Sequence, residues 1–384
     1  MDFAAAGLLD GLDDDEREAR VQLLERLAAE GYTPEELRVA AAENRLALLP
    51  LERVLGGKYT AAEIEQHAGL PASLMIRLRR LLGLPAPGPD DRVFSEADVA
   101  AAQSMRLFLE AGLREQGITD INRVLGEAMA RVAATTARAF TDAFLEAGDS
   151  ELEVAWRFAT LAEQLVPAFG PVLFAAYTAQ LRENVRRAVL SRAELAAGQV
   201  AEELDAVVCF ADLVGFTALG GEVDAEELGD VVGRFGELAA AVGDSQVRLV
   251  KTIGDAAMLV CPEPRPLVDA ALSLLEAAED ADLPSLRAGV AFGRVLPRAG
   301  DLYGHAVNLA SRVTGIARPG TVLCTQEVRD AAPEDFDWSF AGRYRLKGIG
   351  DSVALYRARR LGAPAREQRA RRPKSDRRRT RASS

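Results

Sequence analysis

The sequence predicts an α+β chain in which an all-helical half precedes a βαββαβ domain. Three observations carry this. Apolar residues recur every three or four positions from residue 1 to about 200, the spacing of helices with one buried face. After Glu203 that pattern gives way to short β-branched runs of strand length. Those runs alternate with helical stretches in the order strand, helix, two strands, helix, strand, which is the ferredoxin-like split βαβ arrangement. A length of 384 residues suits two domains of ordinary size.

The helical half, residues 1–175, reads from "EREARVQLLERLAAEG", "EELRVAAAENRLALL" and "ITDINRVLGEAMARVAATTARAFTDAFLEAG". Within it, residues 58–113 give a helix from Thr60 to His67, an "AGLP" turn and a second helix from Ala72 to Leu82, a helix-turn-helix outline. This stretch is similar to the winged helix of MerR-type regulators. Arg77, Arg79 and Arg80 would be its DNA contacts, but "PAPGPDDR" stands where a basic wing belongs. The surrounding acidity favours an interaction module over a DNA surface. The most apolar stretch, Leu165 to Leu181, contains Pro167, Gly170 and Pro171 and is shorter than a bilayer span, so no transmembrane segment is expected. Trp156, Phe169, Phe174 and Tyr177 could wall a pocket for a fatty acid or other lipid, against the plainer reading that they are core. Residues 176–203 read as one amphipathic linker helix, able to carry movement between the halves.

The second half, residues 204–360, unfolds in order: the strand "AVVCFADL", a helix near Asp224 to Val242, the strands "VRLVKTI" and "AAMLVC", and a helix near Leu267 to Glu279. The strand "LRAGVAFGRV", a helix near His305 to Ala317, the strand "TVLCT" and a strand-rich end follow, with the helices expected on one face of the sheet.

A net charge of −12 argues against a protein that wraps nucleic acid over its whole surface. The tail, residues 361–384, is the exception: from Arg366 on it holds nine basic and two acidic residues and reads as a solvated, disordered end or a peripheral membrane contact. Cys209, Cys261 and Cys324 lie in apolar runs without metal or redox spacing, and the acidic N-terminus lacks the marks of a signal peptide; both point to the cytoplasm.

Asp212 ends the first strand, just before the glycine turn "LVGFT" and a helix start, where backbone N–H groups favour phosphate. Asp255 follows Gly254 at a tight hairpin. If the two strands are neighbours, the carboxylates meet, and two hard oxygen ligands with a phosphate suit Mg²⁺ or Mn²⁺. Asn308 and Arg312 lie four apart on one helix face, able to meet ribose and phosphate oxygens.

"FADLVGFT", "VKTIGDAAM", "DLYGHAVNLASR" and "LKGIG" occur in the order and approximate spacing of the class III adenylyl cyclase catalytic domain, which this half resembles. The resemblance implies that Asp212 and Asp255 bind two metal ions per site. Lys251 and Asp301 would read the adenine edge, Asn308 would place the ribose, Arg312 would stabilise charge on the α-phosphate and Lys347 would hold the terminal phosphates. Guanylyl cyclases carry a glutamate and a small polar residue or cysteine at the purine-reading positions, so ATP is implied as substrate. In-line attack of the 3′-hydroxyl would then give 3′,5′-cyclic AMP and pyrophosphate. The resemblance further implies a homodimer with two interface sites. It extends to the helical half, which looks like the regulatory domains of actinobacterial cyclases, some of them autoinhibitory and responsive to pH or lipid. Only His67 and His305 offer a histidine switch. A nucleotide-sensing DNA-binding regulator is the competing expectation. A diguanylate cyclase is disfavoured because "IGDAA" lacks the extra acids.

Overall fold

The computed structural model describes residues 2–187, 203–243, 246–298 and 300–362. The chain divides into two compact units, helical up to Arg187 and sheet-based from Leu204. Residues 188–202 of the expected linker and residues 363–384 of the basic tail lie outside the described residues.

The helical unit contains α1 (Asp14–Ala29), α2 (Pro34–Ala42), α3 (Leu49–Leu55), α4 (Ala61–Ala68), α5 (Ala72–Leu81), α6 (Glu96–Glu110), α7 (Glu115–Phe144) and α8 (Glu151–Arg187). Four of them start on capping boxes, Asp13 with Glu16, Thr33 with Glu36, Thr60 with Glu63 and Ser95 with Asp98, so side chains satisfy N–H groups that a helix start leaves unpaired. One core gathers Leu23, Leu24, Leu27, Leu37 and Ala155; a second gathers Ile64, Leu70, Leu74, Phe94 and Ile118.

The second core belongs to the helix-turn-helix outline, and its geometry turns the outline inward. Gly69 closes α4 with φ of 68°, and Tyr59 bridges Phe94. Arg77 pairs with Glu115. Arg79 donates to the Pro85 carbonyl at 3.2 Å and stacks over Phe94. A Cβ on Gly126 would lie 2.6 Å from the Leu81 carbonyl oxygen, so α7 is seated directly on the end of α5. Two of the three cations that a DNA interface would need are therefore engaged within the chain.

Helix α8 does not stop at its prolines. Pro167 and Pro171 each remove one helical hydrogen bond, yet the helix runs for 37 residues. Ala155, Ala159 and Ala162 are buried in its first turns, whereas Val172, Phe174, Tyr177 and Val185 are exposed. Among the described residues it is the one helix, over Glu151–Arg186, long and apolar enough to cross a membrane by length and composition. The apolar stretch Leu165–Leu181 is the middle of this longer helix.

The second unit runs β1 (Leu204–Leu213), α9 (Phe216–Leu219), α10 (Ala225–Ala241), β2 (Arg248–Ile253), β3 (Ala256–Cys261), α11 (Pro264–Asp280), β4 (Leu286–Arg298), β5 (Asp301–Tyr303), α12 (His305–Ile316), β6 (Thr321–Thr325), α13 (Gln326–Ala331), β7 (Ser339–Arg345) and β8 (Ser352–Ala358). The sheet order is β2-β3-β1-β4-β6-β8-β7, with β5 paired to β4. Only β4 and β6 pair in parallel among the described strands.

Both faces of the sheet are covered, not one. Val207, Cys209, Ala211 and Leu213 of β1 join a core with Phe235 of α10 and Leu267 and Leu274 of α11. Ala206 and Val208 join a separate core with Ala306, Leu309, Ala310 and Val313 of α12. A strand buried on both sides reads as the continuous apolar run "AVVCF" and carries no alternation that would reveal the second layer. Cys209, Cys261 and Cys324 are buried and none is in a disulfide, and burial pushes the Cys209 thiol up to about 12.

Gly289 of β4 sets how deeply α12 sits. A Cβ there would lie 2.2 Å from the Thr314 amide nitrogen and 2.7 Å from the Ala310 carbonyl oxygen. Gly289→Ala is expected to cost at least about 2 kcal/mol of stability, because the clash is with backbone and cannot be relieved by a rotamer. Denaturant unfolding of the full chain checks this; an unchanged midpoint would mean that α12 is not seated as described.

Candidate active site

Asp212 and Arg287 face each other across the ladder between β1 and β4, on the α12 side of the sheet. Arg287 donates from Nε to Asp212 Oδ2 at 2.9 Å and from Nη2 to the same oxygen at 2.5 Å. Its Nη1 lies 3.3 Å from the Gly315 carbonyl in the last turn of α12. Sequence reasoning missed Arg287, since an arginine inside "LRAGVAF" carries no motif; only the register of β1 against β4 reveals it.

Asp255 reaches the same place by way of a hairpin. Ile253 pairs with Ala256, leaving Gly254 and Asp255 as a two-residue loop, and Gly254 takes a φ of 59°. Positive φ at the first central residue alone fits a type II′ turn, which asks for glycine there. The Leu213 amide donates to the Asp255 carbonyl at 3.0 Å, tying the hairpin to the end of β1. The Asp255 carboxyl is held above the usual carboxylate range, first by burial and then by the neighbouring Asp212 charge, with Arg287 opposing. Among the described residues, no three metal-ligating side chains converge. An ion at the two carboxylates would need its remaining oxygens from substrate and water.

Lys251 comes to the α12 side through an irregularity. The ladder between β2 and β3 slips between Leu249 and Lys251, so that Leu249 opposes Leu259 and Lys251 opposes Met258. Leu259 belongs to the core under α10 and α11, Met258 to the core under α12. The bulge at Val250 therefore re-aims the lysine. Its Nζ forms an ion pair with Asp301 of β5, whose Oδ1 also accepts from the Leu302 amide at 2.8 Å.

Asn308 and Arg312 are exposed on α12, and Lys347 is exposed in the turn between β7 and β8. None of these three side chains hydrogen-bonds or ion-pairs with another described residue. His305 begins α12, after Gly304. One chain thus assembles the carboxylate pair and the Lys251–Asp301 pair and leaves the other three groups facing outward.

In this setting the comparisons with known proteins are decisive. Residues 199–357 match the family described as adenylate and guanylate cyclase catalytic domain, and residues 1–185 match the adenylate cyclase regulatory domain. The pH-sensitive adenylate cyclase MT1302 of Mycobacterium tuberculosis is 42% identical over 92% of this chain and 91% of its own length. The chain belongs to the class III adenylate cyclases. An adenylate cyclase of Streptomyces coelicolor is 34% identical over 73% of this chain and 74% of its own. Among solved structures, the adenylyl cyclase CyaB from P. aeruginosa aligns with 41% of this chain and 94% of that chain at 20% identity and a TM-score of 0.36.

Of the aromatic residues expected to wall a lipid pocket in this cyclase, Trp156 lines a cavity. That cleft, about 590 Å³ between α3 and α8, is walled by Pro50, Val54, Leu55, Trp156 and Val166, with Arg53 and Lys58 at its edge. Trp156 donates to Glu30 at 3.2 Å and lies under the Arg26 guanidinium. Phe169 instead packs on Phe140, and Phe174 and Tyr177 are 67% and 61% exposed. The structure does not bring the four together.

Proposed function

We propose that this cyclase converts ATP to 3′,5′-cyclic AMP and pyrophosphate, with Mg²⁺ or Mn²⁺ held by Asp212 and Asp255, two ions per site. The observation that carries this reading is the meeting of those two carboxylates where the β2–β3 hairpin is tied to the end of β1. A pair of hard oxygen donors, one of them raised by burial and like charge, fits a divalent cation, which when bound would acidify the ribose 3′-hydroxyl and neutralise phosphate charge.

The other steps belong to side chains. Lys251 would donate to adenine N1 and Asp301 would accept from its 6-amino group, and their ion pair keeps both at one place before the base arrives. Asn308 would hold the ribose in line for attack, Arg312 would stabilise charge growing on the α-phosphate, and Lys347 would grip the leaving pyrophosphate. The outward position of these three supports a head-to-tail homodimer, in which each site takes its carboxylates from one chain and Lys251, Asp301, Asn308, Arg312 and Lys347 from the other.

We read the helical unit as the regulator and the chain as cytoplasmic. The pH sensitivity named for the M. tuberculosis relative favours control by pH here. His67, stacked edge-on against Tyr59, and His305 at the start of α12 are the two histidines such control could use. For a fatty acid, the cleft beside Trp156 offers an apolar wall with Arg53 and Lys58 for the carboxylate.

The test is direct. Purified full-length protein with Mn²⁺ and ATP should yield cyclic AMP, and GTP should be used at least about tenfold less well, because the polar groups reading adenine would be left unpaired. Dimeric protein that makes no cyclic nucleotide from ATP would refute the assignment.

A further inference from the structure

We propose that Arg287 is the resident cation of the carboxylate pair, and that a divalent metal must displace it from Asp212 in order to bind. This rests on the reading of Asp212 and Asp255 as metal ligands.

Arg287 is placed by the sheet and not by a chance rotamer. Its Cα lies directly opposite that of Asp212 in the β1–β4 register. Two of its N–H groups converge on one oxygen, Oδ2, and a third reaches the Gly315 carbonyl at the end of α12. A guanidinium keeps its charge at every physiological pH and offers its donors in a fixed fork. An oxygen that accepts two such donors has its lone pairs occupied, so a metal and Arg287 compete for the same atom. The two side chains are 30% and 17% exposed, which keeps water from screening the pair fully.

The third contact gives the competition a reach beyond the carboxylates. Gly315 lies three positions after Arg312, and its carbonyl is one of those a helix end leaves unpaired. A metal that draws Asp212 away from the guanidinium therefore also changes what holds the end of the helix carrying Asn308 and Arg312. The site favours metal least when nothing else compensates Arg287.

The experiment is a Mn²⁺ titration of full-length protein without nucleotide, read by electron paramagnetic resonance of the free ion. Arg287→Gln is expected to bind Mn²⁺ about tenfold more tightly than the unaltered protein, the factor expected when one charge-assisted contact no longer competes. Arg287→Lys, which keeps the charge but cannot span Asp212 and Gly315, should bind about threefold more tightly. Equal or weaker binding in Arg287→Gln overturns the proposal, and if that variant does not fold, equal or weaker binding in Arg287→Lys does so. Asp212→Asn separates this from the underlying reading. If it leaves Mn²⁺ affinity unchanged, the metal assignment fails; if it weakens affinity while the arginine variants stay at the unaltered value, only the competition fails.

Discussion

Asp212→Asn should lower cyclic AMP formation by on the order of 10³-fold, the size of effect seen when a preorganised charge-stabilising group is taken from an active site. The substitution keeps the shape of the side chain and removes its charge. Asp212 lies at the end of β1, where the strand is hydrogen-bonded to neighbours on both sides, so the fold has little reason to change. An unchanged elution volume in size-exclusion chromatography separates loss of chemistry from loss of structure. Asp255→Asn should fall about as far. The double variant should be little worse than either single one if the two carboxylates act as one unit, since their effects are then not additive. Full activity in Asp212→Asn would remove the carboxylate pair from the mechanism.

Mixing two inactive chains should restore activity. A chain with Lys251→Ala would lose the proposed purine contact, and one with Asp255→Ala would lose a proposed metal ligand. If each site combines the carboxylates of one chain with the purine-reading pair of the other, a mixed dimer has one site carrying both defects and one carrying neither. Random pairing makes half of the dimers mixed, and each has one working site of two, so about one quarter of unaltered activity is expected. Co-expression with two affinity tags, followed by sequential purification, isolates the mixed dimer and should raise that to about one half. A purified mixed dimer as inactive as either parent would show that Lys251 and Asp255 serve the same site.

The all-helical first half and the order of strands and helices along the second were legible because helix and strand impose different apolar periods, and the change near Glu203 is abrupt. The approach of Asp212 to Asp255 was legible as well, since a glycine-aspartate turn between two strands fixes where the second carboxylate lies. The second helical layer was not, because a strand covered on both faces is apolar throughout. Arg287 was hidden for a different reason: its partner is 75 residues away and is chosen by strand register, which no local pattern encodes. That α8 runs unbroken into the first residues of the expected linker was not read from the sequence, where the helical half was ended at residue 175. The lipid-pocket aromatics illustrate the limit of counting side chains on a helix, for Phe174 and Tyr177 lie beyond the turns where α8 packs on the helical core.

The bulge at Val250 acts on β2 as a frameshift acts on a message. Ahead of it, Leu249 points to one core; after it, Lys251 points to the opposite face, and every later residue of the strand keeps the shifted phase. The lysine proposed to read the purine thus owes its direction to an extra residue and not to its own chemistry. Deleting Val250 would make the ladder regular and leave the lysine opposite Met258, since it would then follow Leu249 directly; straightening the bulge with Val250 retained would instead turn the lysine into the apolar layer beneath α10 and α11. The direction of a side chain proposed to read the base is therefore set partly by strand register, a variable that substitution at position 251 does not explore.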